Sequence, residues 1–234
     1  MKMNLIKMFF LKYILFNFVS DVKSIKNCGL LKIHFMNSDK NIPNVLNIKP
    51  TNIKPTAGKL LISEPFLPDI YFRRSVVLLI DHSDEGTIGI VLNKPVHVKI
   101  SDVVDDFVNV DLPLYSGGPI DVENIFFIHR INDYITSSEK IVDNIFWGGD
   151  KDEVAMYLKS SFFSSKDVRA FLGYSGWEPG QLSEELKKGS WIVSNLNANI
   201  IFNTNPEDLW KAVVANLGEN YKHWLNFPQN YLMN

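Results

Sequence analysis

The sequence predicts one α+β domain, with a mainly antiparallel sheet flanked by helices, over residues 58–234. Three observations carry this. Two runs rich in β-branched residues, 75–81 (SVVLLID) and 87–92 (TIGIVL), lie either side of a short turn, as in a hairpin. Cap signals with helical spacing come later in the chain, most clearly at Asn205-Pro206-Glu207-Asp208. No strand–helix–strand unit repeats, which argues against a parallel sheet. A chain of 234 residues that is 46% hydrophobic can bury one sizeable core.

Residues 58–63 (GKLLIS) are predicted as the first strand, with Pro65, Pro68 and Asp69 in the loop after it. The runs 75–81 and 87–92 are almost continuously apolar, so both faces of each should be covered. The turn His82-Ser83-Asp84-Glu85-Gly86 joins them antiparallel. Asn93-Lys94-Pro95 ends the second strand, and Ser101 is placed to cap a short helix carrying Val103, Val104 and Phe107. Residues 112–115 lead into a turn, Ser116-Gly117-Gly118-Pro119. Residues 124–129 (NIFFIH) read as a strand and 134–137 as a shorter one.

Asp150 and Glu153 have capping-box spacing and open a helix over 151–158, with Val154, Met156, Tyr157 and Leu158 as apolar surface. Residues 168–173 form a strand that enters a glycine-rich loop, GYSGWEPGQL, over 173–182. A helix over 181–188 follows, with acids early, lysines late and Gly189 past its end. Residues 191–194 and 200–202 read as short strands. The helix after Asn205 carries Trp210, Val213, Val214 and Leu217 on one face and stops at Gly218. Tyr221, Trp224, Phe227 and Tyr231 mark the tail as an aromatic strap.

Residues 1–35 differ in composition. They hold six lysines and one aspartate, and no helical or strand period persists. Three readings compete: a signal peptide, a membrane anchor, or upstream sequence with translation starting at Met36. Residues 8–19 are apolar, but Lys12 and Asn17 interrupt them and no A-x-A-like site follows. The run is also short of the 20 or so residues that span a bilayer. The start at Met36 fits best. Residues 36–57 form a polar, proline-bearing lead-in arm with a tandem pentapeptide, NIKPT twice over 47–56.

The whole chain has 24 basic and 26 acidic residues. Without residues 1–35 these become 18 and 25, a net charge of −7, which offers no footprint for nucleic acid. The single cysteine, Cys28, excludes an internal disulfide and a cysteine-rich zinc site, and suits a reducing cytoplasm.

Four motifs, in order, resemble the AlgH/YqgE family of bacterial proteins: Phe72-Arg73-Arg74-Ser75-Val76; His82 to Gly86 with Asn93-Lys94-Pro95; Ser116-Gly117-Gly118-Pro119; and GYSGWEPGQL. The resemblance covers about residues 58–218. It implies a cytosolic protein with an antiparallel sheet. Some members carry a transcriptional-regulator label, and the family has no assigned catalytic residue or cofactor.

The residues themselves offer little chemistry. Ser175 sits between a strand and a helix, but Trp177 occupies the second glycine of the hydrolase elbow G-x-S-x-G. Asp81, His82, Asp84 and Glu85 cluster in a turn, where acids usually bond local backbone. Gly117-Gly118 lacks the helix and the Lys-Ser/Thr pair of a phosphate loop. One of Arg73 and Arg74 should be solvated, and the other, Arg74 by the family motif, should clamp a neighbouring acid or capture an anion.

The function expected is therefore a non-catalytic binding or regulatory module in the cytoplasm. It has an unknown protein or small-molecule partner, no cofactor, no direct DNA contact and no membrane span. The candidate surface comprises Arg74, His82, Asn93, Ser116, Gly117, Gly118, Tyr174, Trp177 and Gln181. The alternative is an enzyme with a small-molecule pocket around Arg74, His82 and the 173–182 loop. An enzyme needs a pocket with convergent polar groups; an interaction module needs an exposed apolar patch. Trp177 is expected in the core.

Overall fold

The computed structural model describes residues 51–131, 134–160 and 164–228. Residues 1–35, Cys28, most of the lead-in arm and Tyr231 lie outside them. Ten strands are described: β1 (Lys59–Ser63), β2 (Val76–Ser83), β3 (Gly86–Val91), β4 (Pro95–Lys99), β5 (Pro113–Ser116), β6 (Ile120–His129), β7 (Ser138–Val142), β8 (Ile145–Gly148), β9 (Val168–Trp177) and β10 (Trp191–Asn195). The helices are α1 (Ile100–Val103), α2 (Lys151–Lys159), α3 (Gln181–Lys187), α4 (Ala198–Asn203), α5 (Pro206–Asn216) and α6 (Glu219–Lys222). The sheet runs β10-β1-β2-β3-β9-β6-β8-β7 with antiparallel neighbours, and β4 and β5 form a side pair. Only β5 against β9 is parallel among the described strands.

β9 is the spine. Its first half lies between β5 and β6, and its last three residues pair with β3. Gly173, with φ +66, bends it at the changeover. The glycine-rich stretch predicted as a loop is thus strand through Trp177 and helix from Gln181, and only Glu178 to Gly180 turn. The glycines read as turn signals because sequence alone does not reveal a neighbouring backbone; here the missing Cβ of Gly173 admits the carbonyls of Ile120 and Gly118.

The two-faced burial of β2 and β3 follows their composition. Leu60, Val76, Leu78 and Ile90 face a core closed by α4, α5, α6 and the 3-10 turn after it, His223–Asn226, through Ile201, Leu209, Trp210, Val214, Tyr221 and Trp224. Leu61, Val77, Leu79 and Val91 face the opposite core, with Trp177, Leu182 and Trp191. A third core gathers Phe107, Leu114, Phe127, Val154 and Leu172 beneath α1 and α2. The sheet curls: a Cβ on Gly58, just before β1, would lie 2.8 Å from Cβ of Val142 in β7.

Several elements depart from expectation. The 134–137 segment is not a strand; the pairing starts at Ser138, and β7 and β8 form a hairpin that sequence reading missed, as it missed β4. Residues 200–202 are helical within α4, because Asn197 caps that turn by accepting the Ile200 N–H. Ser101 lies inside α1 rather than capping it; Asp102 instead accepts the Lys99 N–H at 2.9 Å. Asp150 caps α2 as expected, but Glu153 accepts from Thr136 and Ser137 rather than closing the box. Met156 is exposed, and Ala155 takes its place in the core. The hairpin turn narrows to Asp84 and Glu85, since Ser83 pairs with Gly86. Arg73 and Arg74 sit in the turn before β2, not on a strand. Asn205 caps α5 as predicted.

Candidate functional site

Most sequence-predicted site residues turn out to be joints. Gly117 donates its N–H to Leu172 O (2.8 Å), and its carbonyl accepts from Val91 N (2.8 Å) and Ser175 Oγ (3.1 Å). Ser-Gly-Gly-Pro therefore wedges between β3 and β9 where they part, and the Gly117 N–H is not free for an anion. The Ser175 hydroxyl is fully buried and spent on that contact. Gly118 presses against the Tyr174 carbonyl. Ser116 Oγ pairs with Tyr71 OH at 2.8 Å, and burial raises the Tyr71 phenol above its usual range.

Arg74 does not clamp an acid. Its Nη2 donates to Phe227 O (2.7 Å) and Pro228 O (3.0 Å), and its guanidinium lies 4.8 Å from the Trp210 ring centroid. Its φ of +52 is held by Asn93, whose Nδ2 donates to Arg74 O while its Oδ1 accepts from Val76 N, both at 2.9 Å. Asn93 is thus a brace. His82 Nδ1 pairs with Thr87 Oγ1 at 2.7 Å across the hairpin.

Trp177 is 6% exposed, with Nε1 donating to Glu185 Oε2 at 2.9 Å. Trp191 Nε1 donates to the same oxygen at 2.7 Å, and Gln181 Nε2 to Oε1 at 2.9 Å. Glu185, which sequence reading did not single out, is the hub of this corner. A cavity of about 320 Å³ adjoins it, lined in part by Phe72, Trp177, Gln181, Glu185 and Trp191. Neither Arg74 nor His82 lines it, so the groups of the enzyme reading do not converge there.

His129 is fully buried and stacks on Phe146 with ring centroids 5.6 Å apart. Its Nδ1 accepts the Ile131 N–H at 3.2 Å, which places the proton on Nε2, and that atom meets no acceptor among the described residues. Burial pushes its pKa from 6.5 down to about 4. The unfolded chain takes up this proton below about pH 6.5 and the folded chain only near 4. The stability involved is therefore complete above 6.5 and lost as pH falls toward 4, by about 3 kcal/mol. Urea unfolding at about pH 7 and pH 4.5 should show a loss about 2–3 kcal/mol smaller in His129→Phe than in the natural protein. An equal loss in both would assign the acid sensitivity to other groups.

One surface is open. On the face that α4–α6 cover, β2, β3 and β6 pass from sealed to partly exposed in the same direction. Ile90 is 0% exposed and Ile88 38%; Leu78 is sealed and Ile80 half-buried; Ile128 is sealed and Phe126 half-buried. Beyond the helices lie Phe126 stacked on Trp147 (5.2 Å, 7°) and Tyr174 edge-on to Phe126 (5.7 Å). Ile120, 40% exposed, pairs in register with Tyr174, and Ile88 pairs with Gly176. Two exposed carboxylates share the face by register, Asp81 opposite Ile88 and Glu139 opposite Trp147. Of the predicted residues only Tyr174 belongs here. The rest was hidden because alternation on half-covered strands looks like alternation on buried ones.

These features define a single α+β domain built on a curled, mostly antiparallel sheet with β9 as its shared strand. The sequence profile of the family described as AlgH-like matches residues 60–222. A UPF0301 protein of Bacteroides thetaiotaomicron is 41% identical over 195 residues, 83% of this chain and 97% of that protein. A UPF0301 protein of Chlorobaculum parvum is 36% identical, covering 74% of this chain and 92% of its own. A crystal structure of a Corynebacterium diphtheriae protein superposes with TM-score 0.63 at 23% identity, over 75% of this chain and 94% of that one. The solution structure of AlgH from Pseudomonas aeruginosa gives 0.58 at 24%, over 77% and 99%. The chain belongs to the AlgH-like family, whose function is uncharacterised. No helix among the described residues is long and apolar enough to cross a membrane.

Proposed function

We propose that this protein is a non-catalytic binding module that acts, in the cytoplasm, by docking a protein partner on the open sheet face of Ile88, Ile120, Phe126, Trp147 and Tyr174. The observation that carries the reading is the uncovered end of an otherwise helix-covered sheet face. Contiguous exposed apolar surface on a soluble domain marks interaction sites, and aromatic residues dominate interface cores. Asp81 and Glu139 at its margins favour a partner segment that is apolar and flanked by lysine or arginine. Any regulation by this protein then runs through that partner. The net −7 of residues 36–234 opposes a phosphate backbone rather than attracting one.

The test is affinity capture in the native cell with three baits. Ile88→Glu combined with Ile120→Glu should lose partners that the natural protein retains. Met156→Glu, at an exposed apolar residue on α2, should keep them. Identical partner sets for all three baits would contradict the assignment.

A further inference from the structure

We propose that the cavity between the start of β9 and the α4–α5 junction binds a small oxyanion group of the phosphate class, held by Arg169 and Lys166. The cavity measures about 260 Å³, and Tyr115, Lys166, Arg169, Phe202, Thr204 and Asn205 form part of its wall. Arg169 is only 8% exposed. Its guanidinium carbon lies 5.8 and 5.9 Å from the centroids of the Tyr115 and Phe202 rings. Nη2 donates to Ile201 O and to Thr204 O (3.2 Å), and Nη1 to Leu92 O at a long 3.5 Å.

A buried cation ordinarily sits against a carboxylate, because carbonyl dipoles recover only part of the lost hydration. Among the described residues Arg169 has none. The two acids nearby in sequence or in the cavity wall are taken: Asp167 pairs with Arg130 at 2.7 Å, and Asp111 with Lys99 at 2.9 Å. A guanidinium carries five N–H donors. Three have the carbonyl partners named, which leaves two for a ligand. Burial lowers the Arg169 pKa from its ordinary value, as expected of a charge without a counter-ion.

Lys166 adds a second positive charge to the wall and forms no ion pair among the described residues. Arginine suits oxyanions because its planar fork matches two oxygens at once, and lysine adds a point charge. The volume sets the ligand size. Drug-sized ligands occupy pockets of roughly 300–1,000 Å³, so this space admits a phosphoryl group with room for part of the molecule that carries it. The N-terminus of α5 is already capped by Asn205, whose Oδ1 accepts the Glu207 N–H.

The experiment is a ¹H–¹⁵N NMR titration of the full chain at constant ionic strength, with inorganic phosphate and with adenosine monophosphate as separate probes and chloride as control. Saturable shifts at the Arg169 side-chain N–H and the Thr204 amide, absent with chloride, are expected. Lys166→Glu should weaken the binding by about tenfold or more with the rest of the spectrum unchanged. Tighter binding of the nucleotide would assign the site to a phosphoryl group carried by a larger molecule, and equal or tighter binding of phosphate to the free ion. Shifts that fail to saturate with either probe, or that Lys166→Glu leaves intact, would overturn the site.

Discussion

Gly118→Ala is expected to be the most damaging glycine-to-alanine change among the described residues, costing more than about 4 kcal/mol, the range of gross steric or network failures. A Cβ there would sit 1.9 Å from both the carbonyl carbon and oxygen of Tyr174, and 2.3 Å from Ser175 N. All three are backbone atoms and none can rotate away. Relief requires β9 to move, and β9 carries the pairing of Ser175, Gly176 and Trp177 to β3. Ser175 Oγ would also lose its position on Gly117 O. Gly180→Ala is the control. Gly180 has φ +80 but nothing within 4 Å of an added Cβ, so only the left-handed penalty of about 1–2 kcal/mol applies. Expression in soluble form and urea midpoints would check both. A Gly118→Ala protein as stable as Gly180→Ala would mean that the strand crossing is looser than described.

Trp177→Ala is expected to cost about 3–5 kcal/mol, the usual range for deleting a buried aromatic. The indole packs with Trp191 edge-on at 6.0 Å and with Phe72 at 6.2 Å. Its loss also takes one of three donors from the Glu185 carboxylate. Trp177→Phe keeps most of the ring but not the N–H, so a smaller loss of about 1–3 kcal/mol should follow, the scale of a hydrogen bond to a charged group. A loss below about 1 kcal/mol for the alanine variant would place the indole on a surface.

How much was legible in the sequence depends on what each residue depends on. β1, β2, β3, β10, α3 and α5 could be read because local pattern and caps decide them: apolar runs for the strands, Asn205 and Pro206 for α5. The turn of β9 could not, since Gly173, Gly176 and the Gly117-Gly118 pair are small for the sake of a segment that lies 53–56 residues away in sequence. α4 was misread because Ile200, Ile201 and Phe202 favour strands locally, while the Asn197 cap and the core beneath favour helix. For the site, Trp177 was expected in the core and also named in the candidate surface, and it is buried, while Tyr174 is half-buried. Arg74 and Asn93 were candidate contacts that prove to hold the chain's last described turn and the entrance to β2. Ile88, Ile120 and Trp147 went unnoticed because exposure depends on where the helices stop, which no strand records in its own sequence.

If the glycine-rich stretch holds the fold and the open face of the sheet docks a partner, the two should differ in what their substitution costs. Equilibrium urea unfolding of Trp177→Ala beside the double variant Ile88→Glu, Ile120→Glu tests this most directly. A loss of about 3–5 kcal/mol is expected for the first and a smaller one of about 1–2 kcal/mol for the second, because Ile88 and Ile120 are 38% and 40% exposed and a glutamate at position 88 would face Asp81. A double variant that unfolds as early as Trp177→Ala would show the face to be core, and would contradict the claim.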